Sequence, residues 1–197
     1  KAVADFWVSR VTRNDDGSYS ICNVVGADEY ANGVDDNAFT NGAAIRALEY
    51  ACEAARICNE PVPEIWEEVG KGIRILRFKD GVTREHATYN GEMIKQADVN
   101  LLGYPLYFVG DAESQKKDME YYVDKIDPQN GPAMSYSVFC VQYARMGDAK
   151  RAYEMFCRCY QPNLRSPFGV LAETPTSDNP YFMTGAGGLL QAVINGF

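Results

Sequence analysis

Four acidic side chains are crowded into a short stretch near the start of the chain. Asp28, Glu29, Asp35 and Asp36 lie within nine residues. Crowded carboxylates raise one another's pKa, and a carboxyl group that keeps its proton near neutrality can act as a general acid. A polar loop followed by a helix N-terminus, where acids are favoured, explains the same residues. The spacing therefore leaves both a catalytic and a structural role open.

Further polar residues that could contact a sugar occur later in the chain. Lys95 and Gln96 are adjacent, and together they offer the donors and the acceptor that sugar hydroxyls require. His86 is the single histidine, and it is either a structural hydrogen-bonding residue or a substrate contact. Glu173 lies between apolar residues and a proline-rich loop, where it either faces solvent or points into a pocket.

The elements that must position these residues are mainly helices. The hydrophobic pattern predicts short loops between antiparallel helices, a long polar loop or a short hairpin over residues 78–96, and a turn over residues 127–132. Asp35 and Asp36 are the candidate caps of the second helix. A strand-like run covers residues 18–25. The predicted helices cover residues 1–10, 37–57, 64–76, 111–125, 133–146, 148–160 and 187–194.

Composition excludes several classes of partner. The net charge of −8 argues against nucleic acid, and no apolar run is long enough to predict a membrane span. The six cysteines lie mostly among apolar residues in helical patterns, which favours free thiols. Free thiols slightly favour the cytoplasm, while a periplasmic or secreted location stays open. A single histidine and the lack of a C-x-x-C motif argue against a metal site, and no cofactor is expected.

Several ordered blocks together resemble glycoside hydrolase family 65. The resemblance extends from the first helix to the last residue, and Ala27 stands where the family usually has proline. The glycines in the last block could suggest a phosphate loop, but no P-loop Lys-Ser/Thr follows them, so we predict tight helix packing. The blocks are Val25–Tyr30 (VGADEY), Val34–Asn41 (VDDNAFTN), Ile94–Asp98 (IKQAD), Leu101–Pro105 (LLGYP), Gly131–Met134 (GPAM) and Thr184–Gln191 (TGAGGLLQ).

The resemblance implies a mainly α fold, an (α/α)6 toroid. It also implies that residues 1–197 are the C-terminal portion of one catalytic domain, so we expect the upstream β-sandwich and the early barrel helices to be absent from this chain. The remainder of that domain is the expected partner, and a homo-oligomer stays open.

The implied activity is hydrolysis of α-glucosides with inversion. The resemblance makes Glu29 the general acid and Glu173 the general base, acting on a glucosyl disaccharide or a glucosyl-galactosyl unit. Two alternatives stay open: a disaccharide phosphorylase of the same family, and a non-catalytic carbohydrate-binding fragment. The candidate substrate contacts are Lys95, Gln96, Asp28, Tyr30 and His86.

Overall fold

The computed structural model describes residues 1–108 and 111–197, and these residues form two compact units. The first unit comprises Lys1–Ala27 and Ala31–Asn90, and the second comprises Asp28–Tyr30 and Gly91–Phe197. Helices make up most of the regular structure in both units, which confirms the mainly α fold class. In the part of the chain that is described, no helix has both the length and the apolar character needed to cross a membrane.

The first unit consists of three helices and one β-hairpin. Both α1 and α3 pack against α2, with Leu48 and Val69 buried between them. The indole of Trp66 donates a hydrogen bond to Asp5 at 3.0 Å, which joins α3 to α1. The elements are α1 (Ala2–Arg10), β1 (Val11–Arg13), β2 (Tyr19–Ile21), α2 (Ala38–Ile57) and α3 (Glu64–Gly72), and the two strands are antiparallel.

Helix α2 is capped by a different residue from the two predicted. Asn37 is the N-cap, and its side chain accepts a hydrogen bond from the Thr40 amide at 2.9 Å. Asp35 instead accepts from the Asn23 amide at 2.8 Å, and the buried Asp36 forms an ion pair with Arg74. Both carboxylates therefore bind other partners, and the prediction that they cap α2 is wrong.

Helix α3 ends four residues before its predicted end. A Cβ at Gly72 would lie 2.6 Å from the ring of Tyr19, so the glycine allows the hairpin to approach the helix closely. The following residue, Ile73, forms a parallel β-bridge with Tyr19, and the Arg74 amide donates to the Tyr19 carbonyl at 3.1 Å. Pairing with the hairpin therefore replaces the last predicted helical turn.

The second unit is built around α5, which packs against both α6 and α7. Phe139, Cys140 and Val141 of α5 are fully buried. Gly147 has a positive φ of 79° and Asp148 caps α6. This Gly147–Asp148 hinge confirms the break predicted between the helices at residues 133–146 and 148–160. The β3–β4 hairpin lies where the sequence predicted no strand. The elements are α4 (Ala112–Tyr122), α5 (Ser135–Arg145), α6 (Ala149–Arg158), β3 (Leu164–Arg165), β4 (Val170–Leu171) and α7 (Met183–Gly196), with 3₁₀ turns at Val99–Leu102 and Gln161–Asn163.

Glycines of the last sequence block lie where α7 approaches α5. A Cβ at Gly188 would lie 2.7 Å from the Ser137 hydroxyl and 3.1 Å from the Met134 Cα. A Cβ at Gly185 would lie 2.9 Å from Ala133. These glycines serve close helix packing, as predicted, and α7 begins four residues earlier than expected, at Met183.

Candidate active site

Glu29 lies in a short turn that is anchored on both sides. The buried Asp28 accepts hydrogen bonds from the amides of Lys95 at 2.7 Å and Tyr30 at 3.2 Å. The Tyr30 hydroxyl donates to the Asp127 carboxylate at 2.9 Å. The side chain of Glu29 itself is 58% exposed. The turn therefore holds the backbone of Glu29 in place and leaves its carboxylate accessible to a ligand.

The ammonium group of Lys95 lies between two carboxylates. Its Nζ donates a hydrogen bond to Glu29 Oε2 and lies 3.9 Å from Glu173 Oε1. The hydrogen bond to Glu29 is the main reason that the pKa of Lys95 is raised above its ordinary value, so the ammonium remains charged. The fold thus brings together three residues that lie far apart in sequence.

The segment that carries Lys95 is fixed by pairing with the chain after α4. Ile94 and Ile126 form a parallel β-bridge, in which the Ile94 amide donates to Lys125 at 2.9 Å. The Asp127 amide donates to the Ile94 carbonyl at 2.8 Å. Gln96 is half-buried directly after Lys95. Main-chain pairing, rather than a helix or a regular sheet, therefore positions the Lys-Gln pair.

Glu173 follows β4, and both its backbone amide and its backbone carbonyl form hydrogen bonds. Its amide donates to the Asn179 carbonyl at 3.2 Å, and its carbonyl accepts from the Ala133 amide at 3.1 Å. The carboxylate accepts a hydrogen bond from the Asn179 side chain at 3.3 Å through Oε2. The other oxygen, Oε1, faces Lys95. Glu173 is therefore oriented toward the ammonium, and the sequence offered no signal for the role of Asn179.

Asp127 contacts the segments that carry the predicted site, whereas His86 lies in the first unit. Asp127 was predicted only as part of a turn, yet it contacts both Tyr30 and the Lys95 segment. His86 belongs to the first unit, where its Nδ1 lies 3.2 Å from the Thr88 hydroxyl and its ring packs on Tyr89. Its role as a substrate contact stays a prediction. Within residues 1–108 and 111–197, no cluster of three or more His, Cys, Asp or Glu side chains could hold a metal ion.

Comparison with known proteins relates the chain to one family of enzymes. Residues 2–77 match the model of the glycosyl hydrolase family 65 central catalytic domain. A kojibiose hydrolase of Flavobacterium johnsoniae is 49% identical over 100% of this chain. The family model over residues 2–77 and this relative over the whole chain both support a relationship to glycoside hydrolase family 65.

Two further proteins are similar over nearly the whole chain. A protein-glucosylgalactosylhydroxylysine glucosidase of Danio rerio is 38% identical over 99% of this chain. A solved structure described as a candidate kojibiose phosphorylase from the human microbiome matches 98% of this chain and 34% of its own chain, with 18% identity and a TM-score of 0.71. That likeness concerns the fold, and it agrees with part of a mainly α toroid. The chain spans 29% of the Flavobacterium relative and 30% of the Danio relative.

Proposed function

We propose that the protein carrying this chain hydrolyses α-glucosides with inversion, and that the chain supplies the acid and the base. The observation that carries the proposal is the placement of Glu29 and Glu173 on either side of one ammonium, that of Lys95. Paired carboxyl groups that flank the scissile bond are the machinery of most glycosidases. Relatives named kojibiose hydrolase and protein-glucosylgalactosylhydroxylysine glucosidase support a glucosyl disaccharide or a glucosyl-galactosyl unit as substrate.

In the proposed reaction, Glu29 donates its proton to the glycosidic oxygen as the bond to the glucose anomeric carbon breaks. Glu173 accepts a proton from a water molecule, whose oxygen attacks that carbon from the opposite face. The acid and base of inverting enzymes are separated by about 6.5–9.5 Å, which leaves room for the water. Asn179 supports the role of Glu173, because it holds one carboxylate oxygen and leaves the other directed at the site.

Lys95 must change partners when substrate binds. An ammonium bonded to a carboxylate favours the ionised form of that carboxylate, whereas a general acid has to carry a proton. Lys95 also occupies the space between the two carboxylates. We therefore propose that Lys95 releases Glu29 and donates hydrogen bonds to the sugar hydroxyls instead. Gln96 binds the same glucose. Tyr30 remains a proposed sugar contact through the face of its ring, because its hydroxyl is engaged by Asp127. Asp28 also remains a proposed sugar contact, and His86 of the first unit remains a proposed substrate contact.

The test replaces each proposed catalytic carboxylate separately in the full-length protein. Glu29→Gln and Glu173→Gln should each lower kcat on kojibiose by about 10²–10⁴-fold, the usual contribution of a general acid or base. Glu60→Gln is the matched control, because Glu60 is an exposed loop residue of the first unit. Hydrolysis at the wild-type rate in either catalytic variant would refute the proposal. Turnover that depends on inorganic phosphate would instead indicate a phosphorylase.

We also propose that residues 1–197 form the C-terminal portion of one catalytic domain and that the remainder of this domain is their partner. The relatives support this, because each is about three times longer than the stretch it shares with the chain. Helix α7 and the residue after it also expose an apolar stripe of Leu190, Val193, Ile194 and Phe197, each between 47% and 70% exposed. The 197-residue chain alone should therefore show little hydrolysis of kojibiose, and turnover at the full-length rate would contradict this.

A further inference from the structure

The carboxylate of Asp127 accepts four hydrogen bonds beside the Glu29 turn. Oδ1 accepts from the amides of Gln129 at 2.8 Å and Asn130 at 3.0 Å. Oδ2 accepts from the Asn130 side chain at 3.1 Å and from the Tyr30 hydroxyl at 2.9 Å. These hydrogen bonds hold the pKa of Asp127 well below its usual range, so the group remains an anion. The hydrogen bond to Asp127 also raises the pKa of Tyr30, so the hydroxyl keeps its proton and acts as the donor.

The loop of residues 127–131 also contacts the other two segments of the site. The Asp127 amide bonds the carbonyl of Ile94, directly before Lys95. A Cβ at Gly131 would lie 3.2 Å from the Lys95 carbonyl, so the loop packs tightly along this segment. On the other side, the Thr176 hydroxyl donates to the Gln129 carbonyl at 3.0 Å, which joins the loop to the segment after Glu173. One loop therefore touches the segments that carry the proposed acid, the base and the lysine.

We propose that Asp127 is a positioning residue for proton donation, acting through the hydroxyl of Tyr30. The inference rests on the proposed role of Glu29 as the general acid. Because the side chain of Glu29 is mostly exposed, its position depends on the backbone, which is anchored by Asp28 before it and Tyr30 after it. A general acid must come within hydrogen-bond reach of the leaving oxygen. A displacement of about 1 Å at such a group can cost about 10²-fold in rate.

The experiment compares two substrates that differ in their need for a proton. Departure of a sugar alkoxide from kojibiose requires protonation by the general acid, whereas fluoride leaves α-glucosyl fluoride as an anion. In the full-length protein, Tyr30→Phe and Asp127→Asn should each lower kcat on kojibiose by roughly 10-fold or more, with KM changed by less than about 2-fold. Both variants should hydrolyse α-glucosyl fluoride at nearly the wild-type rate.

Two further variants make the result specific. Asp124→Asn removes the same charge three residues away, from an exposed position, and should match the wild-type protein on both substrates. The double variant Tyr30→Phe/Asp127→Asn should lose no more than Asp127→Asn alone, because the two residues act through one contact. Tyr30→Phe keeps the ring and the charge of the loop, so it tests the inference even if Asp127→Asn fails to fold.

Failure of this inference can be separated from failure of the proposed function. Glu29→Gln should show the same substrate dependence in a stronger form, and if it does not, Glu29 is not the acid and both proposals fail. If Glu29→Gln behaves as expected while Tyr30→Phe keeps its kcat on kojibiose, the positioning role is overturned and the acid remains. Equal losses on both substrates in Tyr30→Phe would also overturn the positioning role, because they would indicate general disruption of the site.

Discussion

Replacing neighbouring glycines of α7 by alanine should have opposite effects on stability. Alanine is favoured over glycine in a helix interior by about 0.8–1.0 kcal/mol. A Cβ at Gly187 would meet no atom within 4 Å, so Gly187→Ala should increase the free energy of unfolding by about this amount. A Cβ at Gly188 would lie 2.7 Å from the Ser137 hydroxyl and 3.1 Å from the Met134 Cα, and overpacking of this kind costs about 1–3 kcal/mol.

The comparison between the two variants isolates the packing term, because the gain in helix propensity is common to both. Gly188→Ala should be less stable than Gly187→Ala by about 1–3 kcal/mol, the cost of the contact with α5. The assays are thermal unfolding and amide hydrogen exchange of α7, with wild type measured alongside. For a domain of this size, each kcal/mol shifts Tm by about 2–4 °C. If Gly188→Ala unfolds at the same temperature as Gly187→Ala, close packing against α5 does not explain this glycine.

Two more predictions concern titrating groups of the second unit and the exposed thiol of the first. Burial raises the pKa of Cys140 to about 11 and of Cys159 to about 12, so iodoacetamide at pH 8 should label the exposed Cys58 and leave these two unlabelled until unfolding. Early labelling of Cys140 or Cys159 in the folded protein would contradict their burial. Asp127 has a lowered pKa, so the stability it contributes is present above its unfolded value of 3.8 and is lost as pH falls through the folded value. The stability difference between wild type and Asp127→Asn should therefore be largest near neutral pH and shrink below pH 3.8. A difference unchanged down to pH 2 would show that the negative charge of Asp127 is not its source.

The arrangement around Lys95 has a consequence for how substrate binds. Ion pairs with an exposed partner contribute only about 0.2–1 kcal/mol, and the side chain of Glu29 is mostly exposed. Exchanging this contact for hydrogen bonds to sugar hydroxyls therefore costs little. Under the proposed function, the same lysine would neutralise the carboxylates in the empty site and hold glucose in the occupied one. This exchange belongs to the proposed function and depends on the outcome of the Glu29 and Glu173 variants.

The helices of the chain could be predicted from its sequence because their signals are local. Hydrophobic residues at helical spacing, the Gly147–Asp148 hinge and the closing glycines are each contained within a few consecutive residues. The prediction was wrong where a distant residue competes for the same group. Asp35 and Asp36 have the chemistry of caps, but Asn23 and Arg74 engage them, so Asn37 caps α2.

In the candidate site too, local sequence signals were predictable and contacts between distant residues were not. Its residue types were predictable, since Glu29, the Lys95–Gln96 pair and Glu173 lie in sequence blocks that resemble those of family 65. Their meeting at one ammonium, and the hydrogen bond from Tyr30 to Asp127, join segments separated by more than sixty residues. No local pattern records which distant side chains will meet, because that depends on how helices and loops pack. The sequence by itself therefore determined the helices and the candidate chemistry, and only the tertiary structure decided which groups are held together and by what.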